Sequence, residues 1–270
     1  MNGYTEPLRE VYWNIPHAWN ILFYLASTLG LLIFILGVWS KVSIWSQGKD
    51  EEDELNKSGV IKLIFFSIIK FFSRDCILAK RLFARSMFRG VMLLCIVWSF
   101  LALFTGTILV TIEHYLGLKF FLVGKVYLIF SLILDIFGAL LIIGITAALL
   151  RRCINPLNRK ISSGEDFAFL GLLLLILLLG YTIEGSRLAI LKPPLMDWSP
   201  VGAIFASILG NFFYGESLIK IHRFTWLIHG IIAMLFVAYI PYSKMFHLFA
   251  AQISVSLASG RYGGNNDEKR

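Results

Sequence analysis

The sequence of 270 residues has few of the residue types that build a soluble redox protein. It contains only three cysteines, Cys76, Cys95 and Cys153, and none of them form a CxxC pair. Because an iron–sulfur cluster needs a full set of cysteine ligands, the chain cannot hold one unaided. Charged residues make up only 16%, whereas 57% are hydrophobic and the mean hydropathy is +0.74. This composition excludes a soluble globular protein and indicates a polytopic membrane protein.

Five hydrophobic runs are long enough to cross a bilayer, since about 20 helical residues span its hydrocarbon core. Their approximate limits are Trp19–Trp39, Val91–Ile112, Val126–Leu150, Phe167–Ile190 and Phe224–Tyr242. A sixth apolar stretch, Val201–Tyr214, is too short to span, and we expect it to be half-buried or interfacial. The sequence therefore predicts an all-α integral membrane protein, a bundle of five transmembrane helices. We expect a single membrane domain over residues 1–270 in the cell membrane.

The distribution of positive charge predicts how the spans are oriented. Segments 41–89, 151–165 and 244–270 carry 18 of the 25 Lys and Arg residues, and the segments on the opposite side carry the other 7. Basic loops stay on the cytoplasmic side, so we expect the N-terminus outside and the C-terminus in the cytoplasm. The net charge of +8 thus sets topology and favours contact with lipid or a partner, and nucleic-acid binding is not expected.

The first inner loop contains an amphipathic stretch. Residues 59–85 alternate apolar clusters with Lys and Arg residues, a pattern typical of a helix lying in the headgroup region. One interpretation is simple anchoring. The other is a docking surface for a cytoplasmic subunit, formed by residues 59–89 together with the basic inner loop 151–160.

Histidines are scarce, and three of the five are close together near the end of the chain. His222 lies just before the last predicted span, His229 lies within it and His247 lies just beyond it. His229 and His247 are 18 residues apart, so on one continuous helix both rings would face the same side, ~27 Å apart. Ionisable groups within a membrane usually have a function, and this spacing suits a helix that ligates two stacked haems. The alternative is one polar core histidine and one interfacial histidine.

A few other polar residues lie within or beside the predicted spans. Asp135 is in the middle of the third span, where it suits either a proton relay or a hydrogen bond to a neighbouring helix. Glu184 and Arg187 are spaced i, i+3 near the outer end of the fourth span and are within side-chain reach. They form either a structural pair or a site where Glu184 accepts a proton from a quinol. His114 closes the second span and is a further candidate at an outer site.

These segments also resemble a known family. The matching motifs occur in the same order over nearly the whole chain: Tyr12–Pro16 (YWNIP), Leu101–Thr107 (LALFTGT), Gly180–Arg187 (GYTIEGSR), Trp198–Gly202 (WSPVG) and the His229…His247 segment. Their combination resembles the di-haem cytochrome b family of the respiratory nitrate reductase gamma subunit. It is more similar still to the membrane subunits of heterodisulfide reductase and of sulfate-reduction redox complexes.

The resemblance implies an electron-transfer subunit of a quinol-linked oxidoreductase complex. Electrons would pass from a menaquinol-like quinol through one or two haem b groups to a cytoplasmic iron–sulfur subunit similar to heterodisulfide reductase. On the matching positions, His229 would be an axial ligand of the outer haem iron and His247 of the inner one. The quinone and proton candidates are Glu184, Arg187 and Asp135.

The chain departs from the family pattern in the second span. Relatives carry a histidine early in this span as an opposing haem ligand, but residues 85–98 contain none. Met87, Met92 or Cys95 could substitute, because thioether and thiolate sulfur bind haem iron. His114 and His222 are the further candidate ligands. The alternative function is a haem-poor membrane anchor that binds quinone or lipid and tethers a cytoplasmic reductase.

Overall fold

The computed structural model describes residues 9, 11–47, 86–117, 120, 122–156, 159, 162–191, 194–243 and 246. The secondary-structure elements formed by these residues are helical, and five of them are long and apolar enough to cross a membrane. The predicted all-α membrane protein with five spanning helices is therefore confirmed for this part of the chain. The helices are α1 (His17–Gln47), α2 (Met87–Leu116), α3 (Gly124–Ile154), α4 (Gly164–Leu191), the short α5 (Pro200–Phe212) and α6 (Glu216–Tyr239). The sidedness of the spans and the single membrane domain stay predictions.

The ends of these helices follow local sequence signals. Gly117 directly follows α2 with φ +63°, and Gly215 precedes α6 with φ +53°. Both backbones are in the left-handed region, which glycine adopts without steric cost. Pro200 is the first residue of α5, where its missing N–H removes no helical hydrogen bond. The helices extend beyond the apolar runs, because a spanning helix continues into the polar interface.

One compact unit comprises Met1–Ser27 and Val91–Ala233, and its centre is the packing of α3, α4 and α5. Glycines let these helices approach closely. A Cβ on Gly185 of α4 would lie 2.6 Å from the Cβ of Phe205 in α5. The Phe205 ring stacks on Tyr181 with 5.2 Å between centroids, and Gly138 of α3 faces the same tyrosine. Helix α5 is thus attached to α4 through small residues and aromatic stacking.

The short helix α5 has one buried face and one exposed face. Gly202 and Ala206 are buried, whereas Ile204, Ile208 and Phe212 are exposed. With only 13 residues, it is too short to span a bilayer. This agrees with the expectation of a half-buried segment between the fourth and fifth spans.

The second compact unit comprises Thr28–Gly90 and Met234–Arg270. Within it, Gly30 of α1 contacts Met234 of α6 at 3.2 Å from its Cβ position, and Gly37 lies against Pro241. Helix α6 ends at Tyr239 and is followed by a 3₁₀ turn, Ile240–Tyr242. Proline cannot donate the helical hydrogen bond and its ring crowds the preceding turn. Pro241 therefore accounts for the end of the regular helix.

Candidate functional site

His229 lies in α6 with its ring held against α4. Its Nδ1 is 3.0 Å from the carbonyl oxygen of Ile176, and its Cε1 is 3.5 Å from the Cβ position of Gly180. A carbonyl oxygen only accepts hydrogen bonds, so Nδ1 carries the proton and the lone pair is on Nε2. This arrangement fixes the tautomer and the ring orientation. It is the arrangement that metal-binding histidines typically have.

His247 lies outside the described residues, and its role as a haem ligand stays a prediction. The described part of the last span does bear on the geometry that the spacing of His229 and His247 predicted. The calculated separation of five helical turns assumed one continuous helix from His229 to His247. Because α6 ends at Tyr239, that assumption is wrong, and the two rings need not leave the same face.

His222 is two turns before His229 and is deeply buried, with 3% of its surface exposed. Its Nδ1 is buried and has no hydrogen-bond partner. The ring lies edge-on to Trp13 with 5.1 Å between centroids, and the charges of Arg187 and Glu184 act on it. The structure thus brings His222 and the Glu184–Arg187 pair into one region of the first unit.

His114, at the end of α2, is part of an aromatic cluster. Its ring lies edge-on to Tyr12 at 5.0 Å, and Trp226 of α6 approaches the same tyrosine at 5.9 Å. The Tyr24 hydroxyl donates to the Tyr12 hydroxyl at 2.9 Å. Burial raises the pKa of Tyr12 well above its ordinary value, so it stays neutral. The side chain of His114 is exposed, and its described contacts are with aromatic rings.

Glu184 and Arg187 form the ion pair that their spacing predicts. The guanidinium donates from one amino group to Oε1 at 2.6 Å and from Nε to Oε2 at 3.2 Å. Arg187 also donates to the hydroxyl of Tyr127 at 2.9 Å. Arg187 and Tyr127 are buried, and Glu184 is partly exposed. The carboxylate is therefore held in a fixed orientation in an apolar setting, and the charge of Arg9 also acts on it.

Asp135 of α3 is hydrogen-bonded to the start of α5. Its carboxyl oxygens accept the backbone N–H groups of Val201 and Gly202 at 2.8 and 3.0 Å. These are orphan donors at the start of α5, and Ser199, at the N-cap position, makes no capping bond of its own. Asp135, on α3, thus caps the first turn of α5. A hydrogen bond to a neighbouring helix was one of the two roles expected for this residue. A proton-relay role for Asp135 stays a prediction.

Sequence analysis did not identify the contacts of the N-terminal segment. Arg223 of α6 donates from Nε to the backbone oxygen of Asn14 at 2.8 Å and from an amino group to its Oδ1 at 2.7 Å. Asn14 has φ +61°, which asparagine tolerates better than most residues. The Arg9 N–H donates to the oxygen of Leu122 at 3.0 Å. The YWNIP motif marks this segment in the sequence. It does not indicate Arg223, the partner of Asn14, which is 209 residues away in the chain.

Cys95 and Met87, two of the sulfur candidates in α2, have different surroundings, and a ligand role for either stays a prediction. Cys95 faces α3, where its Cβ is 3.1 Å from the Cβ position of Gly144, and the side chain of Met87 is 74% exposed. Gly106, in the small-residue stretch of α2, lies against Leu134 of α3. In the described residues, a neighbouring helix therefore occupies the space next to Cys95 and Gly106.

The donor set at His229 fits an axial ligand of haem iron. Its Nδ1 is anchored by the backbone of α4, which leaves the lone pair of the ring on Nε2. Gly180 lies beside the ring, and its Cβ position is at ordinary van der Waals distance from Cε1. Among the described residues, no group of three or more His, Cys, Asp or Glu side chains could hold a metal ion.

The comparison with known families agrees with this arrangement. A profile of the nitrate reductase gamma subunit family matches residues 95–258, which include most of α2 and all of α3 to α6. The chain belongs to this family. The resemblance inferred from the motifs is therefore confirmed, and the chain is a membrane subunit of the kind found in redox complexes.

Two relatives are similar over most of this chain. The "EtfAB:quinone oxidoreductase" of Syntrophomonas wolfei subsp. wolfei is 29% identical over 262 residues, 93% of this chain but only 35% of that protein. A subunit of the dihydromethanophenazine:CoB–CoM heterodisulfide reductase of Methanosarcina barkeri is 26% identical, covering 87% of this chain and 90% of the relative. The chain thus spans about a third of the first relative and nearly all of the second. No solved structure matches the chain.

Proposed function

We propose that this protein is a haem b membrane subunit that passes electrons between a menaquinol-like quinol and a cytoplasmic iron–sulfur subunit. Family membership and the names of the two relatives support this proposal, since one name contains quinone and the other heterodisulfide reductase. The observation that carries it is the hydrogen bond from His229 Nδ1 to the Ile176 carbonyl. That bond leaves Nε2 oriented and able to bind iron.

The residues of the chain have separable roles in this function. His229 would hold the haem, with His247 as the second expected ligand. When bound, the haem would supply a one-electron carrier whose potential depends on its axial ligands and burial. Glu184, held by Arg187 in a bidentate pair, would accept a proton from the quinol. Asp135 keeps α5 folded beside Glu184, where the Gly202 Cβ position is 3.2 Å from Glu184 Cγ.

The partner surface belongs to the proposal as well. Residues 59–85 lie outside the described residues, so the expected amphipathic helix and its docking role stay predictions. In the inner loop 151–160, Arg152 donates to the carbonyl oxygen of Ala148 at 3.4 Å, and Cys153 is exposed. Basic residues such as those of this segment can attract an acidic partner surface or anionic lipid headgroups.

A dithionite-reduced minus oxidised spectrum of the purified protein tests the haem proposal. We expect a b-type α band that is halved or lost in His229→Ala and in His229→Gln, a variant that keeps a side-chain donor for Ile176. His17→Ala is the matched control, because His17 is exposed at the start of α1, and its band should equal that of the native protein. A native protein without any band would refute haem binding, and a full band in both His229 variants would exclude this ligand.

The second candidate function is a haem-poor anchor that binds quinone or lipid and tethers a reductase. The lack of a histidine in residues 85–98 supports it, because relatives carry an opposing haem ligand there. In that case the purified protein would copurify with its soluble partner but show no b-type band.

A further inference from the structure

His222 is an imidazole without the anchor that His229 has. Its Nδ1 is buried and unpaired, whereas Nδ1 of His229 is fixed by a backbone carbonyl. Leaving a buried polar atom unpaired is costly, so such groups in a native structure call for an explanation. Axial histidines typically have their second ring nitrogen hydrogen-bonded. His222 therefore suits a ligand that the chain itself does not supply, rather than haem iron.

The surroundings of His222 indicate what kind of ligand fits. A neutral imidazole offers one donor and one acceptor, which match the hydroxyl of a quinol or the carbonyl of a quinone. Trp13 packs edge-to-face with the ring, and the charges of Glu184 and Arg187 act on it. An unpaired imidazole thus contacts an aromatic side chain and is within electrostatic range of an oriented carboxylate.

The position of His222 along α6 also suits a quinone site close to the proposed haem ligand. His222 and His229 are seven residues apart, which puts them on nearly the same helix face, separated by ~10 Å along the axis. A head group bound beside His222 would lie two helical turns from the imidazole that we assign to iron. On α4, Glu184 lies about one turn beyond Gly180, the residue beside the His229 ring.

We propose that His222 binds the head group of the quinone by a hydrogen bond and is not a haem ligand. This inference rests on the proposed function for the identity of the carrier. The N-terminal segment completes the site from the side of Trp13. Arg223 fixes that segment through its two bonds to Asn14.

Isothermal titration of the purified full-length protein with menadione, a soluble naphthoquinone, tests this proposal. We expect His222→Phe to raise the Kd about tenfold, the loss of roughly one hydrogen bond, with a smaller rise in His222→Gln, which retains a donor and an acceptor. The b-type band should be unchanged in both variants. His17→Phe, a change at an exposed histidine, should bind menadione like the native protein.

Two results would overturn the proposal. An unchanged Kd in both variants would remove His222 from the quinone site, and a halved b-type band would make it a haem ligand. If His222→Phe fails to fold by size-exclusion chromatography, His222→Gln decides. A native protein that binds menadione through His222 but has no b-type band would support this inference while refuting the haem function.

Discussion

Replacing Asp135 separates the structural role of this residue from a catalytic one. The side chain reaches from α3 to the first turn of α5 and accepts two backbone N–H groups there. It is 6% exposed, so little water can replace it. In Asp135→Ala both donors lose their partner, and the first turn of α5 should open more readily.

The size of the effect follows from these two hydrogen bonds. A buried donor left unsatisfied costs about 1–3 kcal/mol, so two donors cost about 2–6 kcal/mol. The bond from Val201 is only partly buried, so we expect a loss of about 2–4 kcal/mol, in the lower part of that range. Because each 1.4 kcal/mol is a factor of ten, local opening should become about 30-fold to several hundred-fold more frequent.

Hydrogen–deuterium exchange at the amides of Val201 and Gly202 measures this opening. Asp135→Asn should give a smaller increase than Asp135→Ala, since one amide oxygen remains as an acceptor. Asp197→Ala is the control, because Asp197 is exposed in the turn before α5, and exchange should not change. Unaltered exchange in Asp135→Ala would refute the capping argument. Loss of quinol oxidation in Asp135→Asn with native exchange would instead establish a proton relay.

Three further predictions concern packing, proton transfer and docking. Gly185→Ala places a Cβ 2.6 Å from Phe205 Cβ and should lower the free energy of unfolding by about 1–3 kcal/mol. The control Gly171→Ala has open space around its new Cβ and should unfold at the native melting temperature. Equal melting temperatures of the two variants would contradict the packing of Gly185 against Phe205. Glu184→Gln should slow quinol oxidation with haem content unchanged, and undiminished turnover would leave Glu184 a structural role. Neutralising the Lys and Arg residues in 62–89 should weaken pull-down of the soluble partner at constant haem content, and undiminished pull-down would exclude docking there.

The spanning helices were predictable because their signal is local. An apolar run of sufficient length must satisfy its backbone hydrogen bonds internally in a bilayer, so composition alone specifies a helix. The Glu184–Arg187 pair was predictable for the same reason, since i, i+3 side chains on one helix are neighbours. The family could be inferred because its motifs lie in a fixed order along the chain.

The partners across the fold were not predictable from local patterns. Asp135 is 66 residues from Val201, and no periodicity indicates that its carboxyl group accepts N–H groups at the start of α5. The end of α6 at Tyr239 also differed from the expected continuous helix. Pro241 is a sequence signal for a helix end, whereas the spacing of the two histidines predicted a continuous helix.

The sequence by itself determined that this chain is a helical membrane protein with five spans, because hydrophobic length and backbone hydrogen bonding are properties of each segment alone. Only the tertiary structure decided which histidine has an anchored ring. His229 reaches the Ile176 carbonyl, 53 residues away in the chain, and His222 has no partner for Nδ1. The physical reason is that the chemistry of an imidazole depends on what its second nitrogen contacts, and helix packing supplies that contact.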